Sequence, residues 1–238
     1  MVAAPASRPD QAGAACAHCA RPFAAFADHH VCPGCGKPQP VVAGADLFEA
    51  LGAPRAFAQD RAALEKRFYE VSRLLHPDRF GAVGGDSLAL SIERMSFVNQ
   101  AYQTLRDAGR LRDHLLEARG LKVEGARGQV PGVSQDASAS VAMPMMILAE
   151  SWFELQDALA DDPATARSRL AAFEGELAGV RKSALERLAQ TERAIDAAGF
   201  DQAGALWEKL AAQAREQSYL QSMERDVRRI AEKLGGRA

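Results

Sequence analysis

The stretch RFYEVSRLLHPDRF, residues 67–80, decides the fold. Leu64, Phe68, Val71 and Leu75 repeat at the i, i+4, i+7, i+11 spacing of one helix face. Asp60 stands where that helix needs an N-cap. Pro77 disfavours helical geometry at the residue before it, so the helix has to stop at His76. A polar, Gly-rich loop is predicted from His76 to about Asp86. A return helix follows, with Leu88, Ile92, Met95, Asn99, Tyr102 and Leu105 as its predicted stripe. His76 and Asp78 are thereby placed at an exposed corner between two antiparallel helices. Lys66 and Arg73 share one face of the first helix and Arg67 lies beside them, so that helix is basic. Upstream, Asp46 can cap a short helix over Leu47–Leu51 that Gly52 ends. Downstream, Leu111, Leu115 and Leu116 predict another short helix ending before Gly120.

Residues 1–43 differ in kind. They hold all four cysteines and six prolines, a composition that cannot build a sizeable core and needs a staple. Cys16-x2-Cys19 and Cys32-x2-Cys35 form two knuckles, a spacing that lets both sulfurs of a pair reach one ion. Zinc in a structural four-thiolate site is the default reading, and iron in a rubredoxin-like site the alternative. His18, His29 and His30 sit close enough to replace a cysteine but are read as solvated loop histidines, and Phe23 and Phe26 as a small core for the segment.

Residues 121–142 are rich in Gly, Ser, Ala and Val and read as a linker. From 143 to 238 the pattern is helical again. Met145, Leu148, Trp152, Leu155 and Leu159 make one stripe; Leu170, Phe173, Leu177, Val180, Ala184 and Leu188 a second; Leu206, Leu210, Leu220, Met223, Val227, Ile230 and Leu234 a third. Asp162-Pro163 is a cap followed by proline at the first helical position, and Gly199 breaks the second helix. Three amphipathic helices joined by short turns predict an antiparallel three-helix bundle, with Trp152 and Trp207 in its core. The fold class is mainly α: a zinc-ribbon-like segment, a helical domain over 44–120 and the bundle. No sequence repeat is evident.

The chain of 238 residues carries a formal net charge of −2, which gives no pull toward nucleic acid or anionic membrane. Between residues 16 and 40 only Arg21 and Lys37 oppose Asp28, so the cysteine segment has no basic stripe for nucleic acid. No apolar run approaches the roughly 20 residues that span a bilayer. The start of the chain, MVAAPASRPDQAGAA, lacks the apolar stretch of a signal peptide, and a cytoplasmic, reducing location is expected.

The runs LFEALGAPRAF, LEKRFYEVSRLLHPDRF and FVNQAYQTLRDAGRLRDHLL resemble the J-domain of DnaJ-type co-chaperones, and more closely the HscB family of iron–sulfur cluster co-chaperones. Some members of that family carry a similar double-CxxC segment ahead of the J-domain. The resemblance implies a partner ATPase of the DnaK or HscA type, stimulated by His76, Pro77 and Asp78 and docked through Lys66, Arg67 and Arg73. It implies no catalytic residue in this chain, because the hydrolytic groups belong to the partner. It also implies that the bundle holds an IscU-type iron–sulfur scaffold protein. By position, Met145, Met146, Ala149, Glu150 and Phe153 match the first-helix surface, and Tyr219 the facing aromatic. Ser151-Trp152-Phe153 departs from the acidic pattern usual there, and the last helix is several residues longer ahead of Tyr219. A general J-domain co-chaperone with another client is the alternative.

Overall fold

The computed structural model describes residues 15–81, 86–121 and 143–235, with the side chains of 143–145 outside the description. The predicted linker, apart from Leu121, lies outside the described residues. The described residues are mainly helical and hold no strand; two isolated antiparallel bridges, Ala15 with Pro22 and Val31 with Pro38, close the cysteine knuckles. A 3-10 turn covers Phe26–His29, and the α-helices are α1 (Leu47–Ala50), α2 (Arg61–Leu74), α3 (Asp78–Gly81), α4 (Asp86–Leu105), α5 (Ala108–Glu117), α6 (Met143–Asp161), α7 (Pro163–Ala198) and α8 (Ala205–Gly235). The chain divides into two compact units, Met1–Leu115 and Leu116–Ala238.

In the first unit the capping residues do what their chemistry allows. The Asp46 carboxylate accepts from the Phe48 amide and the Asp60 carboxylate from those of Ala62 and Ala63. α1 ends at Gly52, whose φ of 57° suits glycine, and whose missing side chain leaves room for the Phe26 ring. α2 and α4 run antiparallel: Phe68 stacks on Tyr102 at 4.4 Å, and about two turns further along α2 the Leu75 carbonyl meets the Ser91 hydroxyl. Leu64, Val71 and Leu75 face the core as the periodicity predicts, and Phe68 is half-buried.

The stripe predicted for α4 is corrected. Its buried face is Ser87, Ser91, Val98, Ala101 and Leu105, while Leu88, Met95, Asn99 and Tyr102 are half-buried and Ile92 is 54 % exposed. Two serines stand at core positions, and at Ser91 this face meets polar backbone. The Ser91 Oγ donates to the Leu75 carbonyl at 2.6 Å, satisfying a helix-end acceptor that α2 leaves without an intrahelical donor. The loop predicted from His76 also changes: α3 occupies Asp78–Gly81, and 82–85 lie outside the described residues.

In the second unit, α7 has 36 residues, α8 has 31 and α6 only 19. Arg181–Glu224 and Arg187–Glu216 ion pairs, each at 2.8 Å, set the antiparallel register of α7 and α8: a step forward on one is a step back on the other. Leu148 and Leu155 of α6 share a core with Leu170, Phe173, Leu177 and Ala184 of α7 and Leu220, Met223 and Val227 of α8. The Asp162 carboxylate caps α7 through the amides of Ala164 and Thr165, with Pro163 at the first turn. Trp152 tilts against Phe173 at 5.4 Å. Trp207 is buried, donates from Nε1 to the Phe200 carbonyl at 3.0 Å, and is covered by the Arg119 guanidinium 3.6 Å from a ring centroid.

The corrected α4 face is testable. Val98→Ala, at a fully buried site, should cost about 2 kcal/mol in urea unfolding. Ile92→Ala should stay within about 0.5 kcal/mol, where the periodic stripe alone would have given a core-sized loss.

Candidate functional site

The His76 corner is a turn of helix and not an open loop. The amides of Phe80 and Gly81 donate to the Pro77 carbonyl at 2.9 and 3.0 Å, and that of Arg79 to His76 at 3.0 Å. The Phe80 ring is buried and pins the turn to the core. His76 and Asp78 remain exposed, with Nδ1 and Oδ2 3.5 Å apart and the Asp78 amide 3.4 Å from Nδ1. The Arg79 guanidinium donates to the Arg73 carbonyl at 3.2 Å, bringing a further cation to the corner.

The three predicted docking cations separate. Lys66 and Arg73 are exposed on one face of α2. Arg67 is half-buried, with its guanidinium 5.4 Å from the Phe26 centroid and 3.4 Å from the Glu70 carboxylate. Tyr69, 54 % exposed between Lys66 and Arg73 on the helix surface, joins that face and was missed in the sequence. Its signal was an aromatic three residues after one of these cations and four before the other.

The four cysteine sulfurs lie within 4.8 Å of one another, Cys16 to Cys35 at 3.6 Å and Cys19 to Cys32 at 3.7 Å. Sulfurs about 2.3 Å from a central ion in a tetrahedron stand about 3.8 Å apart, so the set fits one tetrahedral metal ion. The knuckles are two copies of one device, offset by 16 residues, which corrects the expectation of no repeat: Ala15-Cys16-x-x-Cys19-Ala20-Arg21-Pro22 and Val31-Cys32-x-x-Cys35-Gly36-Lys37-Pro38. In each, the amide two residues past the first cysteine donates to its sulfur at 3.3 Å. In each, the residue after the second cysteine has positive φ, 56° at Ala20 and 69° at Gly36. Gln39 braces the pair: its Nε2 donates to Cys16 Sγ at 3.4 Å and its Oε1 accepts from the Ala17 amide at 3.0 Å.

The charges of the cluster favour a cation. Burial opposes ionisation of Cys16, yet the His18 and Cys19 amides and the neighbouring thiols bring its pKa down to about 6. The Arg21 amide favours the Cys19 thiolate, but desolvation and the nearby sulfurs outweigh it and push that pKa up to about 11. The Cys16 thiolate forms readily, while Cys19 and Cys35 resist until a positive ion compensates them.

The histidines are not ligands here, but they are not all solvated either. His30 is fully buried, with its ring edge-on to Phe26 at 5.0 Å. Burial, then the Arg94 charge, holds its pKa down to about 3, so it is a neutral core residue. His18 Nε2 lies 3.1 Å from the Pro38 carbonyl, and His29 packs against Phe23 at 4.7 Å.

On α6, Met146, Ile147, Glu150 and Phe153 are exposed and Ala149 is half-buried; the Met145 side chain lies outside the described residues. Met146, Glu150 and Phe153 follow i, i+4, i+7 and share one outward face. Ile147 beside them was missed in the sequence because the buried stripe passes through its neighbour Leu148. Tyr219 on α8 is half-buried against the bundle core, and that burial pushes its hydroxyl pKa up.

No family model matches the chain. The co-chaperone HscB homolog of Vibrio vulnificus strain YJ016 is 27 % identical over 191 residues, 79 % of this chain and 98 % of that protein. That of Aliivibrio salmonicida is 27 % identical over 190 residues, again 98 % of its length. The homolog of Shewanella sp. strain W3-18-1 is 40 % identical over 76 residues, 32 % of this chain and 44 % of that one. Among solved structures, human co-chaperone HscB superposes with a TM-score of 0.59 at 20 % identity, covering 90 % of this chain and 97 % of that one. HscB from Vibrio cholerae gives 0.55 at 24 % identity, covering 79 % and 99 %. At those identities the two structures speak for the fold alone. With the Vibrio and Aliivibrio relatives matched along nearly their whole length and the His76 corner in place, this chain is similar to the HscB-type co-chaperones.

Proposed function

We propose that the chain stimulates the ATPase of a DnaK- or HscA-type chaperone and delivers to it an IscU-type scaffold protein during iron–sulfur cluster assembly or transfer. The observation that carries this reading is the corner itself. His76 and Asp78 are exposed at the end of a basic helix face, on a turn pinned by buried Phe80. Pro77 and Asp78 shape that turn, while Lys66 and Arg73 steer an acidic partner surface toward it. Arg67, held over Phe26, supports the face more than it docks. The co-chaperone does no covalent chemistry of its own; the partner hydrolyses ATP.

The scaffold protein is assigned to the bundle, on the α6 face of Met146, Ala149, Glu150 and Phe153, with Met145 preceding it and Tyr219 on α8. What supports this is three large apolar side chains, Met146, Ile147 and Phe153, left outside a core that has its own Leu148 and Leu155. The ion is zinc and its role structural, holding residues 1–43 where composition alone cannot. We place the working protein in the cytoplasm; among the described residues no helix is long and apolar enough to cross a membrane.

Three outcomes are expected. His76→Gln should unfold at the same urea concentration as the parent and lose ATPase stimulation of the partner; retained stimulation overturns the J-domain reading. Elemental analysis should find about one zinc per chain, removable by a strong chelator, and a native preparation without metal contradicts the four-thiolate site. Phe153→Ala should weaken capture of an IscU-type scaffold by about tenfold, at unchanged ATPase stimulation without scaffold. No binding of that scaffold to the parent at tens of micromolar would favour a general J-domain co-chaperone with another client.

A further inference from the structure

Arg94 holds a position that the co-chaperone reading does not use. It lies on α4, in the helix that returns from the His76 corner. Its guanidinium reaches into the cysteine segment and donates to two main-chain carbonyls there, Nη2 to His29 at 2.5 Å and Nη1 to Pro40 at 2.9 Å. Its Nε lies 3.5 Å from Nδ1 of buried His30. His29 and Pro40 flank the second knuckle, so one side chain grips both ends of the loop that carries Cys32 and Cys35. The loop is drawn together at the same level by the Gln39 amide, which donates to the His30 carbonyl at 2.9 Å.

One turn before Arg94, Ser91 makes its bond to the Leu75 carbonyl, next to His76. The two residues are i and i+3 on one helix, so α4 joins the cysteine loop to the corner through two short polar links. A second contact works in parallel, where the Phe26 ring sits against Gly52 at the end of α1.

We propose that a metal ion in the four-cysteine site braces the His76 corner through Arg94. The inference rests on the metal-site reading. An ion that binds only the folded knuckles stabilises them by its binding free energy. Arg94 takes its two acceptors from backbone whose spacing the knuckle sets. When the knuckle opens, the guanidinium loses that pair of acceptors together, and α4 loses its tether beside Ser91. The Leu75 carbonyl and the turn after it then open more often. A cysteine segment that folded as an independent module would transmit nothing.

Hydrogen exchange on the full chain tests this, with metal bound and after chelation. Amides of Ser91–Val98 and Leu75–Phe80 should exchange roughly tenfold faster without metal, while those in the middle of α7 keep their rates. Arg94→Met should keep its metal by elemental analysis, show fast exchange in α4 from the outset, and respond little to chelation. Arg94→Lys, which reaches one carbonyl instead of two, should fall between. Chelation that loosens 16–40 yet leaves α4 and the corner unchanged overturns the proposal, as does an Arg94→Met chain with the full metal response. A parent chain that binds no metal removes the metal-site reading instead. In that case Cys32→Ser, compared with the parent at 86–105, reads the Arg94 linkage by itself, and equal exchange overturns it.

Discussion

Helix α2 has to end at Leu75, and the rest of the first unit follows from that stop. Pro77 denies helical geometry to His76, so the carbonyls of the last turn lose their intrahelical donors. Leaving such an acceptor buried and unpaired costs on the order of 1–3 kcal/mol. The chain supplies a donor from another element, the Ser91 hydroxyl, at 2.6 Å. That bond and the Phe68–Tyr102 stack together fix how α4 lies along α2. The corner residues then need only one turn of helix, with Phe80 as its apolar pin, to stand clear of the surface.

The same demand explains why α4 reads poorly as an amphipathic helix. Its inward face is shared between apolar core, the end of α2 and the cysteine segment. Two of those three surfaces present carbonyl oxygens. Ser91 and Arg94 are therefore the fitting side chains where a leucine would leave acceptors dry. Ile92 is displaced to solvent by one position of helical rotation, about 100°.

What the sequence disclosed follows from how local each cause is. The knuckles are legible because two sulfurs that can reach one ion from a single turn require the x2 spacing within the turn itself. The caps at Asp46, Asp60 and Asp162 are legible because each acts on amides two or three residues on. The bundle is legible because its core forms where helix meets helix, so the apolar period of each stripe runs on through it. Arg94 and His30 are not legible in that way. Their partners are distant in the chain, and an arginine in a helix or a histidine in a loop looks solvated until its neighbours are known. The 16-residue repeat of the knuckles is hidden by Ala20 standing where the second copy has Gly36. Arg67 misleads for a related reason: it belongs to a basic helix by sequence and to the Phe26 ring by contact.

The α6 face raises a question of magnitude. Burying Met146, Ile147 and Phe153 under a partner is worth about 1.5–3 kcal/mol each, while association itself costs about 4–15 kcal/mol. Three such side chains nearly balance that cost and leave little surplus. Useful affinity then depends on what surrounds them: Glu150 and Asp157 on the same outward side, and Glu154, already engaged at 2.6 Å by Arg169. A partner presenting cations to this rim would gain both attraction and register, and one without them would leave quickly. On the proposed function, a protein that hands over what it carries is served by that balance. Filling the face with further leucines would tighten the grip, slow release, and invite association between copies of the chain.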